Sequence, residues 1–137
     1  PSDASGRPVA NRVEPRKRPR STMAPTIVYD RRGQLVMLTG SPGGPAIANY
    51  VAKTVIGVLD WQLDPQAAVS LPNFGSRNGP TQLEAGTAIA DLAPKLRAMG
   101  YDVSVGTETS GLQLIVRTRD GWAGGADPRR EGVVRGR

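Results

Sequence analysis

Apolar residues first gather at Thr26-Ile27-Val28-Tyr29 and again at Leu35-Val36-Met37-Leu38, on either side of the polar stretch Asp30-Arg31-Arg32-Gly33-Gln34. Two β-rich runs joined by a short glycine-containing turn predict a β-hairpin. The second run is apolar at consecutive positions, the pattern of an inner strand buried on both faces. Gly40-Ser41-Pro42-Gly43-Gly44-Pro45 ends it, and Pro45 suits the first position of a helix. Ile47, Tyr50, Val51, Thr54, Val55, Val58 and Leu59 then recur at helical spacing, with Asn49, Lys53 and Asp60 off the stripe. Asp64 as N-cap and Pro65 as first residue predict a short second helix through Val69. Residues 71–80, rich in Pro, Asn, Gly and Ser, read as a loop, and 81–84 as a short strand. Ile89, Leu92, Leu96 and Met99 form a third helical stripe ending at Gly100; Pro94 puts the regular helix no earlier than about Asp91. Residues 101–105 and 112–118 read as strands. From Gly121 the chain reads as a Gly- and Arg-rich tail with a last strand around Val133-Val134. Residues 1–20 follow neither period and read as extended or irregular. No internal repeat is present. This order predicts α+β or layered α/β, with antiparallel pairing from the hairpin.

The length, 137 residues, suits about one domain. With one Phe, two Trp and three Tyr, the core must be built from Val, Leu, Ile and Ala. The absence of cysteine excludes disulfides, thiolate catalysis and cysteine-ligated zinc. The absence of histidine means that neither a Ser-His-Asp triad nor a His-ligated metal site can be assembled from this chain alone. No metal or cofactor is expected. The net charge of +6 suits an anionic partner. No apolar run approaches the roughly 20 residues of a membrane span, and the first residues lack the apolar stretch of a signal peptide. A chain opening on Pro1-Ser2-Asp3 reads as a piece or a processed product.

Four segments hold candidate chemistry. In Gly40-Ser41-Pro42-Gly43-Gly44, two glycines at a strand-to-helix junction admit positive φ and bring bare N–H groups to a helix N-terminus. That suits a phosphate or a transient oxyanion, and equally a tight turn with no ligand. The segment is neither a phosphate-binding Walker loop nor a dinucleotide fingerprint. Ser21-Thr22 offers two adjacent hydroxyls, for a carboxylate or for capping and turn bonds. The run Arg12, Arg16, Lys17, Arg18 and Arg20, interrupted by Glu14, reads as a solvated basic segment or a nucleic-acid patch; it lacks aromatics for base stacking. Asp127-Pro128-Arg129-Arg130-Glu131-Gly132 reads as a surface turn with a partial charge network, or as the lining of a site.

Taken in order, these segments resemble the γ-glutamyltransferase family. The resemblance runs from Lys17-Arg18-Pro19-Arg20-Ser21-Thr22-Met23-Ala24-Pro25-Thr26-Ile27-Val28 through Val36-Met37-Leu38-Thr39-Gly40-Ser41-Pro42-Gly43-Gly44. It continues in Leu71-Pro72-Asn73-Phe74-Gly75-Ser76-Arg77-Asn78-Gly79-Pro80-Thr81 and ends in Gly121-Trp122-Ala123-Gly124-Gly125-Ala126-Asp127-Pro128-Arg129-Arg130-Glu131-Gly132. It implies an α+β fold, part of an N-terminal-nucleophile hydrolase αββα sandwich with largely antiparallel sheets stacked between helices. It also implies a self-cleaving zymogen whose new N-terminal Thr attacks the γ-glutamyl amide of a substrate such as glutathione. The acyl-enzyme then passes to water or to an acceptor amino acid or peptide.

By the same resemblance, Ser21 and Thr22 bind the substrate α-carboxylate, with Thr22 standing where the family usually has Ser. Gly43 and Gly44 supply the oxyanion-hole N–H groups, and Pro45 beyond them cannot donate. The nucleophile is expected farther upstream of Ser21 than the 20 residues this sequence holds there, and the acidic group for the substrate amine upstream of Pro1. No motif marks Asp3 for that role. The expected partners are a large subunit, which carries an Arg for the α-carboxylate, and the missing upstream part of the small subunit. Residues 1–20 are expected as an extended basic lead-in and 21–137 as the C-terminal portion of the small-subunit domain. Alone, the chain is expected to be inactive. The family setting is periplasmic or extracellular, without membrane or nucleic-acid partners. The rival readings are a related acylase acting on a glutaryl β-lactam or poly-γ-glutamate, and a basic nucleic-acid-binding module.

Overall fold

The computed structural model describes residues 1–136. Strands β1 (Thr26–Tyr29) and β2 (Leu35–Gly40) form the expected hairpin. Asp30 holds its turn by accepting from the N–H groups of Arg32 and Gln34. The chain then passes through a 3₁₀ turn at Gly44–Ala46 into helix α1 (Ile47–Leu59) and helix α2 (Pro65–Ser70). The Asp64 carboxylate accepts from the Ala67 N–H, so it caps α2 as its sequence predicts. Strands β3 (Phe74–Gly75) and β4 (Thr81–Glu84), a 3₁₀ turn at Ala88–Leu92, helix α3 (Ala93–Ala98) and strand β5 (Val103–Gly106) follow. Pro94 sits in the first turn of α3, where its missing N–H costs nothing, and the third helix begins there. The chain closes with β6 (Gln113–Thr118) and β7 (Gly121–Ala126).

Two sheets result. The first has the order β1-β2-β6-β7 and is antiparallel throughout; the second has the order β3-β4-β5, with β4 and β5 parallel. The fold is α+β with largely antiparallel sheets. Strand β7 lies where the tail was expected, and Val133 and Val134 are exposed and outside any strand. A run such as Trp122-Ala123-Gly124-Gly125-Ala126 has little intrinsic strand preference. It is held as a strand because it pairs with β6 along its whole length. Its small residues also admit α2. A Cβ on Gly125 would collide with the backbone carbonyl of Pro65, so only glycine lets the helix lie so close.

The main core sits between the first sheet and helices α1 and α2. Met37, Leu112 and Val69 are wholly buried, and Tyr50, Val51 and Leu114 nearly so. Full burial of each such side chain stabilises by roughly 1.5–3 kcal/mol. A smaller core joins Leu83, Ala93 and Val103 beneath α3. Helix α1 contacts both sheets, through β2 and β3, and a buried polar cluster ties α1 to the segment before β3 and to β4. Strand β2 is an inner strand, flanked by β1 and β6, but only one of its faces is fully buried. Met37 and Thr39 point into the core, whereas Leu38 faces outward beside its cross-strand partners Ile27 and Ile115. Pro25, Ile27, Leu38 and Ile115 line an open apolar groove of about 350 Å³ on that outer face. Among the described residues no helix is long and apolar enough to cross a membrane.

Candidate active site

The glycine turn begins where β2 ends. Gly43 has φ +140° and Gly44 φ +55°, values that L side chains rarely adopt. The need for two glycines is therefore met by backbone conformation at both positions. Their surroundings differ. A Cβ on Gly43 would lie 2.5 Å from Cε2 of Tyr50, whereas nothing lies within 4 Å of one on Gly44. Gly44 faces open space; Gly43 is seated on an aromatic ring. Among the described residues neither glycine N–H has a hydrogen-bond acceptor. Both precede a 13-residue helix, whose dipole favours negative charge at this end.

Four hydrogen bonds fix the turn. The Ser41 hydroxyl donates to the Pro42 carbonyl at 2.6 Å and accepts from the Gly111 N–H at 3.0 Å. The Ala46 N–H donates to the Gly43 carbonyl at 3.3 Å. The Thr22 hydroxyl donates to the Gly44 carbonyl at 2.6 Å. Thr22 and Gly44, 22 residues apart, are thus brought into contact. A hydroxyl has one proton, so Thr22 in this geometry spends it on the turn. Ser21 is exposed and accepts from the Met23 N–H at 3.2 Å, which leaves its own proton free for a ligand.

Tyr50 is buried in the core stripe of α1, and its hydroxyl donates to Glu108 Oε2. Burial, then the hydrogen bond and charge of Glu108, push the phenol up to about 12. The sequence placed Tyr50 correctly in the stripe, but nothing in a helical period marks what its hydroxyl meets. Glu108 stood in a short loop without a motif.

The Asp127–Gly132 segment is a surface turn only in part: residues 128–131 turn with Pro128, Arg130 and Glu131 exposed, but Asp127 and Arg129 reach inward. Asp127 is wholly buried. Its Oδ2 accepts from the Ser110 hydroxyl at 2.6 Å and the Leu112 N–H at 3.1 Å, and its Oδ1 accepts from Arg129. The Arg129 guanidinium also grips both carboxylate oxygens of Glu84 and donates to the Val69 and Leu71 carbonyls. Lys53, expected off the buried stripe, is buried too and donates to Asn73 Oδ1 and the Leu71 carbonyl. Asn73 closes the cluster through Glu84 and Ser110. Two cations face two carboxylates, and among the described residues no buried side-chain polar atom lacks a partner, the condition under which buried charge is tolerated.

The remaining candidates are peripheral. In the basic segment Arg12 and Lys17 both pair with Glu14, and the Arg20 N–H donates to Asn11. Asp3 is consumed locally by Ser5 and Arg7. The Ser5 hydroxyl, then the Arg7 N–H, hold its carboxyl below the usual range. Among the described residues no cluster of acidic side chains could hold a metal ion.

A family model described as gamma-glutamyltranspeptidase matches residues 2–136. The glutathione hydrolase proenzyme of Escherichia coli (strain K12) is 36% identical over 122 residues, 88% of this chain and 21% of that protein. The corresponding proenzyme of Pseudomonas sp. (strain A14) is 32% identical over 135 residues, 88% of this chain and 23% of that protein. The chain therefore spans about a fifth of the length of these curated relatives. Among solved structures, the gamma-glutamyltranspeptidase of Pseudomonas nitroreducens complexed with L-DON superposes with a TM-score of 0.80 at 29% identity, covering 93% of this chain and 68% of that one. The Bacillus anthracis transpeptidase CapD shares the fold, with a TM-score of 0.74 at 22% identity over 96% of this chain and 79% of that one. Because the family model matches residues 2–136, nearly all of this chain, the chain belongs to the gamma-glutamyltranspeptidase family.

Proposed function

We propose that this chain is part of a γ-glutamyl acyl-transfer enzyme and that its glycine turn is the oxyanion site. The observation that carries the reading is the pair of consecutive N–H groups, on Gly43 and Gly44, which have no acceptor among the described residues and lie at a turn leading into α1. The attacking hydroxyl, that of an N-terminal Thr outside these residues, adds to the γ-carbonyl carbon. As its C–O bond forms, the carbonyl oxygen becomes an oxyanion, and fixed N–H donors stabilise it with no reorganisation at the moment of reaction. The C–N bond then breaks, the leaving amine takes up the proton that the attacking hydroxyl gives up, and an ester-linked acyl-enzyme remains for water or an acceptor amine.

The exposed Ser21 hydroxyl is free to hold the substrate α-carboxylate. Thr22 acts one step away, by anchoring the Gly44 carbonyl and so the peptide plane that follows it. The outer face of the first sheet, with its groove along Ile27, Leu38 and Ile115, is the surface on which the rest of the enzyme packs. Its apolar character is that of a sandwich interior.

The test removes a donor without adding atoms. Replacing Gly44 by glycolate turns the Gly43–Gly44 amide into an ester and deletes one N–H. In the assembled enzyme kcat toward a γ-glutamyl anilide is expected to fall about 10²–10³-fold with KM little changed. Near-normal turnover would remove the assignment. A glutaryl anilide run alongside distinguishes a related acylase, because it lacks the α-amino group.

A further inference from the structure

The Tyr50 ring already occupies the space a side chain on Gly43 would need, with Cε2 and Cδ2 at 2.5 and 3.0 Å from the Cβ position. The ring is thus the floor on which the Gly43 peptide rests. A phenylalanine would fill the core equally well. The hydroxyl must earn its burial through a bond, since a buried hydroxyl without a partner is costly. That partner is Glu108, on the segment between β5 and β6. The same segment presents the Gly111 N–H to Ser41 of the glycine turn, and Arg130 holds the Thr109 carbonyl at 3.0 Å. One short stretch of chain therefore grips the turn twice, directly through Ser41 and indirectly through the tyrosine beneath Gly43.

We infer that Tyr50 and Glu108 form a positioning pair for the oxyanion donors: the ring sets the height of the Gly43 peptide, and the carboxylate fixes the ring. The pair touches neither substrate nor reacting atoms. The inference rests on the oxyanion assignment above and adds to it the residues that hold the donors in register. A displacement of about 1 Å in such a donor is enough to cost large factors in rate.

The experiment measures kcat and KM of the assembled enzyme for Tyr50→Phe, Glu108→Leu, their double variant and Glu108→Gln. Tyr50→Phe retains the ring and its packing, and so the fold. Each of the first two is expected to lower kcat roughly fivefold, about one tethering hydrogen bond's worth, with KM within about twofold. The double variant is expected to lose no more than either single one, because both break the same link. Glu108→Gln, which keeps an acceptor oxygen, restores most of the rate. A residue of purely structural value would lower the melting temperature and leave kcat alone. Wild-type kcat in Tyr50→Phe and Glu108→Leu, or additive losses in the double variant, overturns the pair. If those variants are silent while the Gly44 ester is inactive, only the positioning pair falls. If the Gly44 ester is itself fully active, the oxyanion site falls and the pair with it.

Discussion

Arg129→Met isolates the value of the buried ionic cluster. Methionine replaces the stem of the arginine but none of its donors. The change withdraws the two-point grip on Glu84, the bond to Asp127 Oδ1 and the donors to the Val69 and Leu71 carbonyls. The side chains of Glu84 and Asp127 are 9% and 0% exposed, so solvent is a poor substitute for the lost donors. Removing one partner of a buried ion pair costs about 3–5 kcal/mol, and this loss is expected at pH 7. The cost also carries a pH signature. Burial raises both carboxyls. For Glu84 the Arg129 hydrogen bonds and then the Asn73 N–H outweigh it; for Asp127 the Ser110 hydroxyl and then the Arg129 and Leu112 N–H groups do. Both groups end below their usual values. A carboxyl held low contributes stability that is present above its ordinary pKa and lost as pH falls through the lowered one. Without Arg129 the carboxyls of the variant move up and take protons sooner. The stability gap between wild type and variant therefore narrows as pH falls from about 7 toward about 4. The assay is amide hydrogen exchange at Asn73 and Leu112, whose N–H groups donate to Glu84 and Asp127. A local loss below about 1 kcal/mol, the exposed-pair range, or a gap that does not change with pH would refute the reasoning.

Two further outcomes follow from the packing and the buried charge. Gly125→Ala drives a methyl group into the Pro65 carbonyl, where backbone, not a flexible side chain, must give way. It is expected to cost about 1–3 kcal/mol, read as a lower melting temperature, and an unchanged melting temperature would contradict the close α2–β7 approach. Burial, and then the charge of Arg129, bring the Lys53 ammonium down to about 8. Unfolded lysine keeps its proton to about 10.5, so stability should rise with pH between about 8 and 10.5. Lys53→Met should flatten that rise in melting curves across the window, and equal slopes in the two proteins would count against a buried charged lysine.

Periodicity was sufficient wherever local pattern and tertiary environment agreed. The course of α1, the Asp64 cap of α2 and the hairpin are local statements, and the structure places them where their residues predict, although Leu59 at the end of the α1 stripe is exposed. It differs where an element owes its form to a distant partner. Strand β7 is composed of residues with weak strand preference and exists through its register with β6. Phe74–Gly75 lies in a loop-like composition and becomes a strand by pairing with Leu83 and Gln82. Lys53 fell off an apolar stripe because a helical period cannot distinguish a lysine that faces water from one that faces Asn73. The same reason hid Asp127 and Arg129. Their partners Ser110, Glu84 and Leu71 lie 17, 45 and 58 residues away, and no local window contains both ends. In the candidate site the two glycines were legible, since positive φ at a strand-to-helix turn demands them. The tethers at Ser41, Tyr50 and Glu108 were not, since each is half of a long-range pair.

The ionic cluster also bears on how the chain reaches its structure. It draws on α1, the segment before β3, the end of β4, the segment before β6 and the residues after β7. Closing contacts 45 to 60 residues apart means that chain entropy is lost before the electrostatic reward arrives. Any partial assembly holds an unmatched charge in an apolar setting and is driven back toward water. The cluster thus works as a completeness check. It admits only the arrangement in which every segment has arrived, and it does so beside the segment that supports the glycine turn.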